Sequence, residues 1–338
     1  MAIPALAAHL TDVRFMYCDN KFYEMCGQMG HLIGPSGIGK AQLSHLVEAI
    51  MRPFRKHDEI EYKKLVDWQR QMKTKGANKE KPERPDVSFW FPPADITNPA
   101  FIQNAMALEK LGERTQYLNL PEVEMADKMC GGHRQVSQMV RNIYDCQRAG
   151  ALRATADGVT GNPTLRVNIS FTSTPDAARL FYKKDLTNGF FGRIPFAYKA
   201  RGERCGRIPR QGTYGQDFME QLASYLLRLD NCKGAFTVKP LNKIADQLAE
   251  EMAKLADLAD DDMLWELSHR SIFSAWKKGA VLWILNDQQW SKSIGDFVVW
   301  FCYYDLWSKV KVFGDMFKGA DANEEETQKS GPKNMLDS

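Results

Sequence analysis

The chain has 338 residues, 44% of them hydrophobic and 26% charged, which is ordinary for a globular protein and long enough for one large or two modest domains. Its formal net charge of +3 gives no reason to expect the whole protein to bind nucleic acid. Seven scattered cysteines without a C-x-x-C pair argue against a disulfide framework and favour reduced thiols in the cytoplasm.

The N-terminal residues MAIPALAAHLTDVRF contain a short apolar run without a preceding basic segment, so we expect no signal peptide. The most apolar stretch, residues 296–307, is too short to span a membrane and is bounded by Asp296 and Asp305. It predicts a buried helix instead. The sequence therefore indicates a cytoplasmic protein without a membrane partner.

Residues 29–51 predict a strand, a glycine-rich loop and a helix in succession. The strand reads MGHLI (29–33), the loop GPSGIGK and the helix AQLSHLVEAIM (41–51). The loop fits the phosphate-binding pattern G-x-x-x-x-G-K-[S/T], except that Ala41 takes the place of the hydroxyl that ligates magnesium. The alternative is a glycine-rich turn without a ligand.

In a phosphate-binding loop, glycines let backbone N–H groups approach the phosphates, and the following helix contributes the positive end of its dipole. We expect Lys40 to reach the terminal phosphates. The residues predicted to bind the nucleotide are Gly34, Pro35, Ser36, Gly37, Ile38, Gly39, Lys40 and Ala41.

Residues 52–84 form a basic segment with 11 Lys or Arg against 6 Asp or Glu. Apolar residues at helical spacing, followed by the breaker Gly76, predict an inserted helix and loop. A solvated charged face is the favoured interpretation, and a contact with DNA is the alternative.

The next segments alternate between strands and helices. VSFWF (87–91), TQYLNL (115–120) and LRVNISFTST (165–174) are typical of strands, and residues 98–112 are typical of an amphipathic helix. Alternation of this kind predicts an α/β fold with a mainly parallel sheet flanked by helices.

Acidic and hydroxyl side chains follow two of these strands. Glu122 is predicted to orient the attacking water, while Pro121 stands where a metal-binding Asp is usual. Glu124 is either a compensating contact or an exposed acid in the first turn of a helix. Thr172 and Thr174 are either sensors of the γ-phosphate or, for Thr174, the cap of the helix that begins at the following proline.

Arg193 lies in the glycine-flanked turn NGFFGRIPF. It is predicted either to stabilise the transition state on a neighbouring subunit's nucleotide or to be a surface arginine. Residues 199–210 carry five basic residues, which fit either a grip on a DNA phosphate backbone or a linker. Cys130 and His133 have a metal-like spacing without a second pair, so we interpret them as a turn between helices and predict no metal ligands there.

From about residue 214 the pattern becomes helical. We therefore predict an α/β domain over 1–212, a C-terminal helical lid subdomain over 213–317 and a disordered polar tail over 318–338.

The order of several short motifs resembles a known family. GPSGIGK, PEVEMADK, SQMVRNIYD, VTGNPTLRVNISFTSTPD, GFFGRIPF and SHRSIFSAWKKGAVLWIL follow one another between about residues 5 and 315. This order is similar to a domain-of-unknown-function family of P-loop proteins from bacterial mobile elements and prophages, often fused or adjacent to primase modules. The family is similar in layout to ring-forming replicative helicase ATPases of plasmids and viruses.

The resemblance implies a P-loop NTPase fold of the AAA+/RecA-like kind, ATP and Mg²⁺ as ligands, a homo-oligomeric ring, DNA as substrate and a primase as partner. It implies that residues 34–41 bind nucleotide, that Glu122 is the acidic site residue and that Thr172 or Thr174 is the sensor. It further implies that Arg193 is the arginine finger and that Arg270 reaches over from the helical part.

The predicted function is a helicase-like ATPase. Ala41 and Pro121 bear on hydrolysis more than on binding, because the loop backbone, Lys40 and the helix dipole need neither missing group. The main alternative is a non-hydrolysing assembly or switch protein with a degenerate magnesium site. A small-molecule kinase is a weaker alternative.

Overall fold

The computed structural model describes residues 2–74, 82–112, 114–150, 152, 158–186, 189–202 and 212–329, with side chains to residue 317. The helices are α1 (Ile3–Ala7), α2 (Ala41–Ile50), α3 (Arg52–Thr74), α4 (Asn98–Lys110), α5 (Met125–Cys130), α6 (His133–Tyr144), α7 (Pro175–Tyr182), α8 (Phe190–Arg193), α9 (Gln216–Asn231), α10 (Lys239–Ala259), α11 (Asp262–Leu285) and α12 (Lys292–Lys329). The strands are β1 (Val13–Tyr17), β2 (Lys21–Glu24), β3 (Met29–Ile33), β4 (Gln116–Leu120), β5 (Val167–Ser173), β6 (Phe196–Tyr198) and β7 (Gly234–Phe236).

A four-stranded, all-parallel sheet in the order β4-β5-β3-β6 forms the centre of one half of the molecule. Every residue of β5 is buried, as expected for a strand covered by helices on both faces. The predicted strands at 29–33, 115–120 and 165–174 are confirmed as β3, β4 and β5. The mixed α/β architecture with a parallel sheet flanked by helices is confirmed with them.

The segment 87–91 was predicted to be a strand, and this prediction is wrong. Asp58 of α3 accepts the N–H groups of Trp90 and Phe91, both at 2.8 Å, so these groups are not available to a strand ladder. One backbone bond remains to the sheet, from Tyr117 N–H of β4 to the Trp90 carbonyl at 2.9 Å. The segment therefore runs beside β4 as extended chain held by side chains.

The basic segment is helical where it is described, as α3, and residues 75–81 lie outside the described part. Its buried residues are Phe54, Asp58 and Glu61, so this helix is packed against the domain along one side. Glu61 accepts the N–H of Ser88 at 3.2 Å. Two acids of a basic segment are thus structural, because they satisfy buried backbone groups.

A second sheet was not predicted. β2, β1 and β7 form it, with β1 antiparallel to β2 and parallel to β7. It packs in one hydrophobic core with α1, α2 and the C-terminal helices; Phe15 and Trp276 are central members of that core and meet edge to face.

The C-terminal helices are present as predicted, but they share cores with the rest of the chain. Lys277 and Lys278 of α11 are buried and donate to the carbonyls of Cys26 (2.5 Å) and Met29 (3.3 Å). These bonds hold α11 against the amino end of β3. The helical region is therefore packed against the parallel sheet at this point.

Helix α12 covers the open edge of β6. Asp305 accepts the N–H of Phe196 at 2.7 Å, and Ser308 accepts the N–H of Tyr198 at 3.1 Å. The stretch 296–307 is helical as predicted but only one side is buried, since Trp300 is 54% exposed. The helix also continues through Lys329, into the segment 318–338 for which a disordered tail was predicted, and residues 330–338 lie outside the described part.

Candidate phosphate-binding site

The glycine-rich loop lies at the carboxyl edge of the parallel sheet. From β3 the chain crosses to β4, the outer strand at one edge of the sheet, and from β5 it crosses to β6, the outer strand at the other edge. The neighbouring strands β3 and β5 therefore form a topological switch point. Ligands of open α/β sheets bind in the crevice outside the carboxyl ends of such strands. The loop 34–40 leaves β3 directly into this crevice.

The local backbone explains the glycines of the loop. Gly37 and Gly39 have φ values of +79° and +82°, a region that side chains with a Cβ rarely adopt. Ser36 and Gly37 are exposed, so the loop is open to solvent at its tip. Helix α2 then begins at Ala41 without a side-chain cap, so the positive end of its dipole lies at the end of the loop.

Lys40 lies across the crevice between the two central strands. Its Nζ donates to the carbonyl of Gly34 at 2.7 Å and to that of Ser173, the last residue of β5, at 2.9 Å. Partial burial lowers the pKa of Lys40, and the negative charge of Glu122 opposes this shift. The charge of Glu122 thus acts on Lys40 across the crevice.

His31 is a member of this arrangement that the sequence did not reveal. It is fully buried in β3, with Nε2 2.7 Å from Ser173 Oγ and Nδ1 3.0 Å from Tyr182 Oη. Burial, and secondarily the charge of Lys40, lower its pKa to about 3, so the ring is neutral at physiological pH. A histidine within the otherwise apolar strand MGHLI was the available signal.

The two predicted acidic residues are exposed, whereas the two predicted threonines bond to backbone groups of the chain. Glu122 and Glu124 are both exposed, and Glu124 is the N-cap position of α5 without a side-chain bond. Thr172 donates its hydroxyl to the Pro121 carbonyl at 2.5 Å, which joins the ends of β5 and β4. Thr174 caps α7 by accepting the N–H of Ala177 at 3.3 Å, so the capping interpretation of Thr174 is the one observed.

Arg193 does not lie at this edge of the sheet. It ends α8 directly before β6, and therefore lies at the amino edge, opposite the loop. Its guanidinium donates to Gly189 O at 2.8 Å and pairs with Asp145 at 3.1 Å, and the side chain is only 15% exposed. It is thus held within its own chain.

Arg270 also lies at the amino edge. Its Cγ is 3.5 Å from the position that a Cβ on Gly192 would take, and it lines a cavity of about 810 Å³ together with Tyr144 and Asp145. The resemblance implied that Arg270 reaches over from the helical part; in the structure it lies on the same side of the sheet as Arg193.

Cys130 and His133 flank the turn between α5 and α6, as predicted. Cys130 is buried, and His133 pairs with Asp127 at 3.0 Å. Within the described ranges, no three histidine, cysteine or acidic residues are grouped closely enough to hold a metal ion. In the basic segment 199–210, Lys199 donates to the loop carbonyl of Ile38 at 3.1 Å, whereas residues 203–210 lie outside the described part.

The residues of the site fit phosphate groups well and magnesium less well. Lys40, the loop N–H groups and the start of α2 are suited to anionic oxygens. For magnesium, the adjacent donor is the Glu122 carboxylate, while Ala41 supplies no oxygen ligand.

A scan against protein-family models and a search of curated proteins both found no match for this chain. Each helix in the described part of the chain is too short or too polar to cross a membrane.

Proposed function

We propose that the chain is a P-loop protein of the AAA+/RecA-like kind that binds ATP at residues 34–41. The observation that carries the proposal is Lys40, whose ammonium group bridges the carbonyls at the ends of β3 and β5 in the switch-point crevice. An ammonium group held at the end of a glycine-rich loop and before a helix N-terminus is suited to the β- and γ-phosphates.

We further propose that the protein hydrolyses ATP as a cytoplasmic, helicase-like ring acting on DNA with a primase module of a mobile element. The chain's own groups would act by positioning: Lys40 on the phosphates, Glu122 on the attacking water and Thr172 as a link between the two strand ends. Magnesium, when bound, would neutralise phosphate charge beside Glu122. The exposed cations of α3 support the proposed DNA contact, and they include Lys56, Lys63 and Lys73.

The DNA contact predicts salt-sensitive binding of a labelled oligonucleotide, because cations on α3 would displace counterions from the phosphate backbone. Absence of binding at low salt would remove DNA from the proposal and leave the nucleotide site intact.

The experiment that tests the nucleotide site compares Lys40→Met with Lys243→Met, a control at an exposed lysine of α10. Titration with a fluorescent ATP analogue should show at least about tenfold weaker binding for Lys40→Met, since one charge-assisted contact with phosphate is lost. The control should bind as the parent does. Equal affinity in all three proteins would overturn the proposal.

The second candidate is a protein that binds ATP without hydrolysing it. Ala41 favours this candidate, because the first residue of α2 offers no hydroxyl to a metal ion. Turnover measured on the same samples separates the two functions. Turnover that is absent in Lys40→Met supports the ATPase, and saturable binding without turnover supports the assembly or switch protein.

A further inference from the structure

Two cysteines lie in contact far from the phosphate-binding loop. The sulfur atoms of Cys26 and Cys146 are 2.7 Å apart, and neither thiol is part of a disulfide. Cys26 lies in the segment between β2 and β3, and Cys146 lies two residues after α6. A disulfide bond is about 2.05 Å long, so a shift of less than about 1 Å would suffice for covalent bonding.

The backbones next to the two thiols are also in contact. A Cβ on Gly27 would lie 2.4 Å from the Tyr144 carbonyl oxygen, so only glycine fits between these segments. Lys277 holds the backbone of Cys26 itself, because its Nζ donates to the Cys26 carbonyl at 2.5 Å. The two cysteines are therefore held by packed backbone, and closure of a bond requires no large rearrangement of the chain.

The two thiols have unequal surroundings. Cys26 is 2% exposed, whereas Cys146 is half-buried and has a positive φ of 51°. The contact with Cys26 and the charge of Lys277 lower the pKa of Cys146, while the same sulfur contact and burial raise the pKa of Cys26. Cys146 is thus the more exposed residue of the two and the thiol that loses its proton more readily, and Cys26 is the buried thiol behind it.

We propose that Cys26 and Cys146 are a modification site at which a low-molecular-weight disulfide, of the glutathione class, introduces an intramolecular disulfide bond. The Cys146 thiolate attacks one sulfur of the small disulfide, forms a mixed disulfide and releases one small thiolate. Cys26 then gives up its proton and attacks Cys146 Sγ, which releases the second small thiolate. Two protein thiols are oxidised, and one small disulfide is reduced to two thiols.

The bond would join positions 120 residues apart in sequence, so it would strongly restrict the unfolded chain. It would also fix the end of α6 to the segment that leads into β3. Asp145, the partner of Arg193, is the residue next to Cys146. Oxidation therefore acts on the amino edge of the sheet, opposite the loop.

The test uses the full chain, first reduced and then equilibrated with mixtures of reduced and oxidised glutathione. After denaturation and alkylation, we expect five of the seven thiols to react, a peptide map to join Cys26 with Cys146, and the midpoint of thermal unfolding to rise by several degrees. Cys302→Ser, which removes a buried thiol of α12, should still lose two thiols.

Cys26→Ser and Cys146→Ser should each fail to lose a pair of thiols under the same conditions. Seven reactive thiols in the parent at every glutathione ratio would overturn the proposal. So would a stable mixed disulfide at Cys146 that never resolves, or a loss of two thiols that persists in Cys26→Ser.

Discussion

At the scale of single residues, Lys40 and His31 act on the same partner from opposite sides. Lys40 donates to the carbonyl of Ser173, and His31 lies 2.7 Å from the hydroxyl of the same residue. The neutral ring lets His31 bond both Ser173 and Tyr182 without placing a second positive charge below Lys40. His31 is therefore a positioning residue for the end of β5.

This arrangement predicts loss of stability in acid. The pKa of His31 is about 3 in the folded chain and about 6.5 when unfolded, so between these values the unfolded state binds more protons. The resulting stability is complete above pH 6.5 and decreases as the pH falls toward 3. Lowering the pH from 6.5 to 5 should cost about 2 kcal/mol at this residue.

Urea unfolding of the parent and of His31→Gln at several pH values measures this contribution. The variant should be less stable at pH 7 but should lose less stability on acidification, because its side chain takes up no proton. His45→Gln, at an exposed histidine, should retain the parent's pH dependence. Parallel plots of the free energy of unfolding against pH for the parent and His31→Gln would exclude His31 as the source of the acid sensitivity.

Lys40 and Glu122 could be proposed from the sequence because short motifs encode them. The sequence did not reveal His31, because a buried, neutral histidine is defined by what surrounds it: Ser173 is 142 residues away in sequence and Tyr182 is 151. Arg193 was identified as a candidate finger from its turn, but its ion pair with Asp145 is a tertiary contact that no local pattern encodes.

At the scale of elements, buried side chains take the place of a neighbouring strand at the β6 edge of the parallel sheet. Asp305 and Ser308 of α12 bind the outward N–H groups of β6. Asp305 also accepts from Ser271 at 2.6 Å and from Lys309 at 2.7 Å, and all three residues are buried. The carboxylate is stabilised by these donors together.

Asp305→Ala should destabilise the protein by about 3–5 kcal/mol, because it leaves the buried Lys309 ammonium without its counter-charge and the buried Phe196 N–H without its acceptor. Asp296→Ala is the matched control on the same helix, where an exposed pair with Lys292 should contribute less than about 1 kcal/mol. Chemical denaturation of both variants measures the difference. The double variant Asp305→Ala/Lys309→Met should recover part of the loss, and a purely additive result would show that the pair is not coupled.

The residue composition of segment 87–91 explains why this element was predicted to be a strand. VSFWF has the composition of a strand, and it does run beside β4. Its N–H groups bind Asp58, Glu61 and Asn104 instead, and these residues come from two helices that the segment's own pattern cannot specify. Strand composition was therefore read correctly, whereas hydrogen-bond partners depended on distant residues.

At the scale of the whole molecule, the loop and the two arginines occupy opposite edges of one sheet. Lys40 lies at the carboxyl edge, and Arg193 and Arg270 lie at the amino edge. The parallel sheet was predictable from the alternation of strands and helices. The pairing of β1 with β7 was not, because more than 200 residues separate strands that meet only after the chain has packed.

Because Lys40 and Arg270 lie at opposite edges of the sheet, we predict that a site using both residues forms between two copies of the chain. In the proposed ring, Lys40→Met and Arg270→Ala proteins should each turn over ATP slowly, and mixing them should restore part of the activity, since some interfaces then combine an intact Lys40 with an intact Arg270. Turnover and native mass of the mixture measure this. Mixing Lys40→Met with the double variant Lys40→Met/Arg270→Ala should give no recovery, because neither protein then has an intact Lys40.

Mixed oligomers without any recovery would exclude Arg270 as a contributor in trans. Repeating the mixture with Arg193→Ala then distinguishes the two arginines. Arg193 would first have to leave Asp145, so a weaker effect is expected for it.

Blocked sheet edges limit how copies of this chain can join. One outer strand has its N–H groups bound by α12, and the other lies beside a segment whose own N–H groups are bound by α3 and α4. A free strand of another molecule therefore finds no row of unpaired N–H groups along the two edges of this four-stranded sheet. Copies of the chain that meet at this sheet would have to join through side-chain surfaces rather than by extending it.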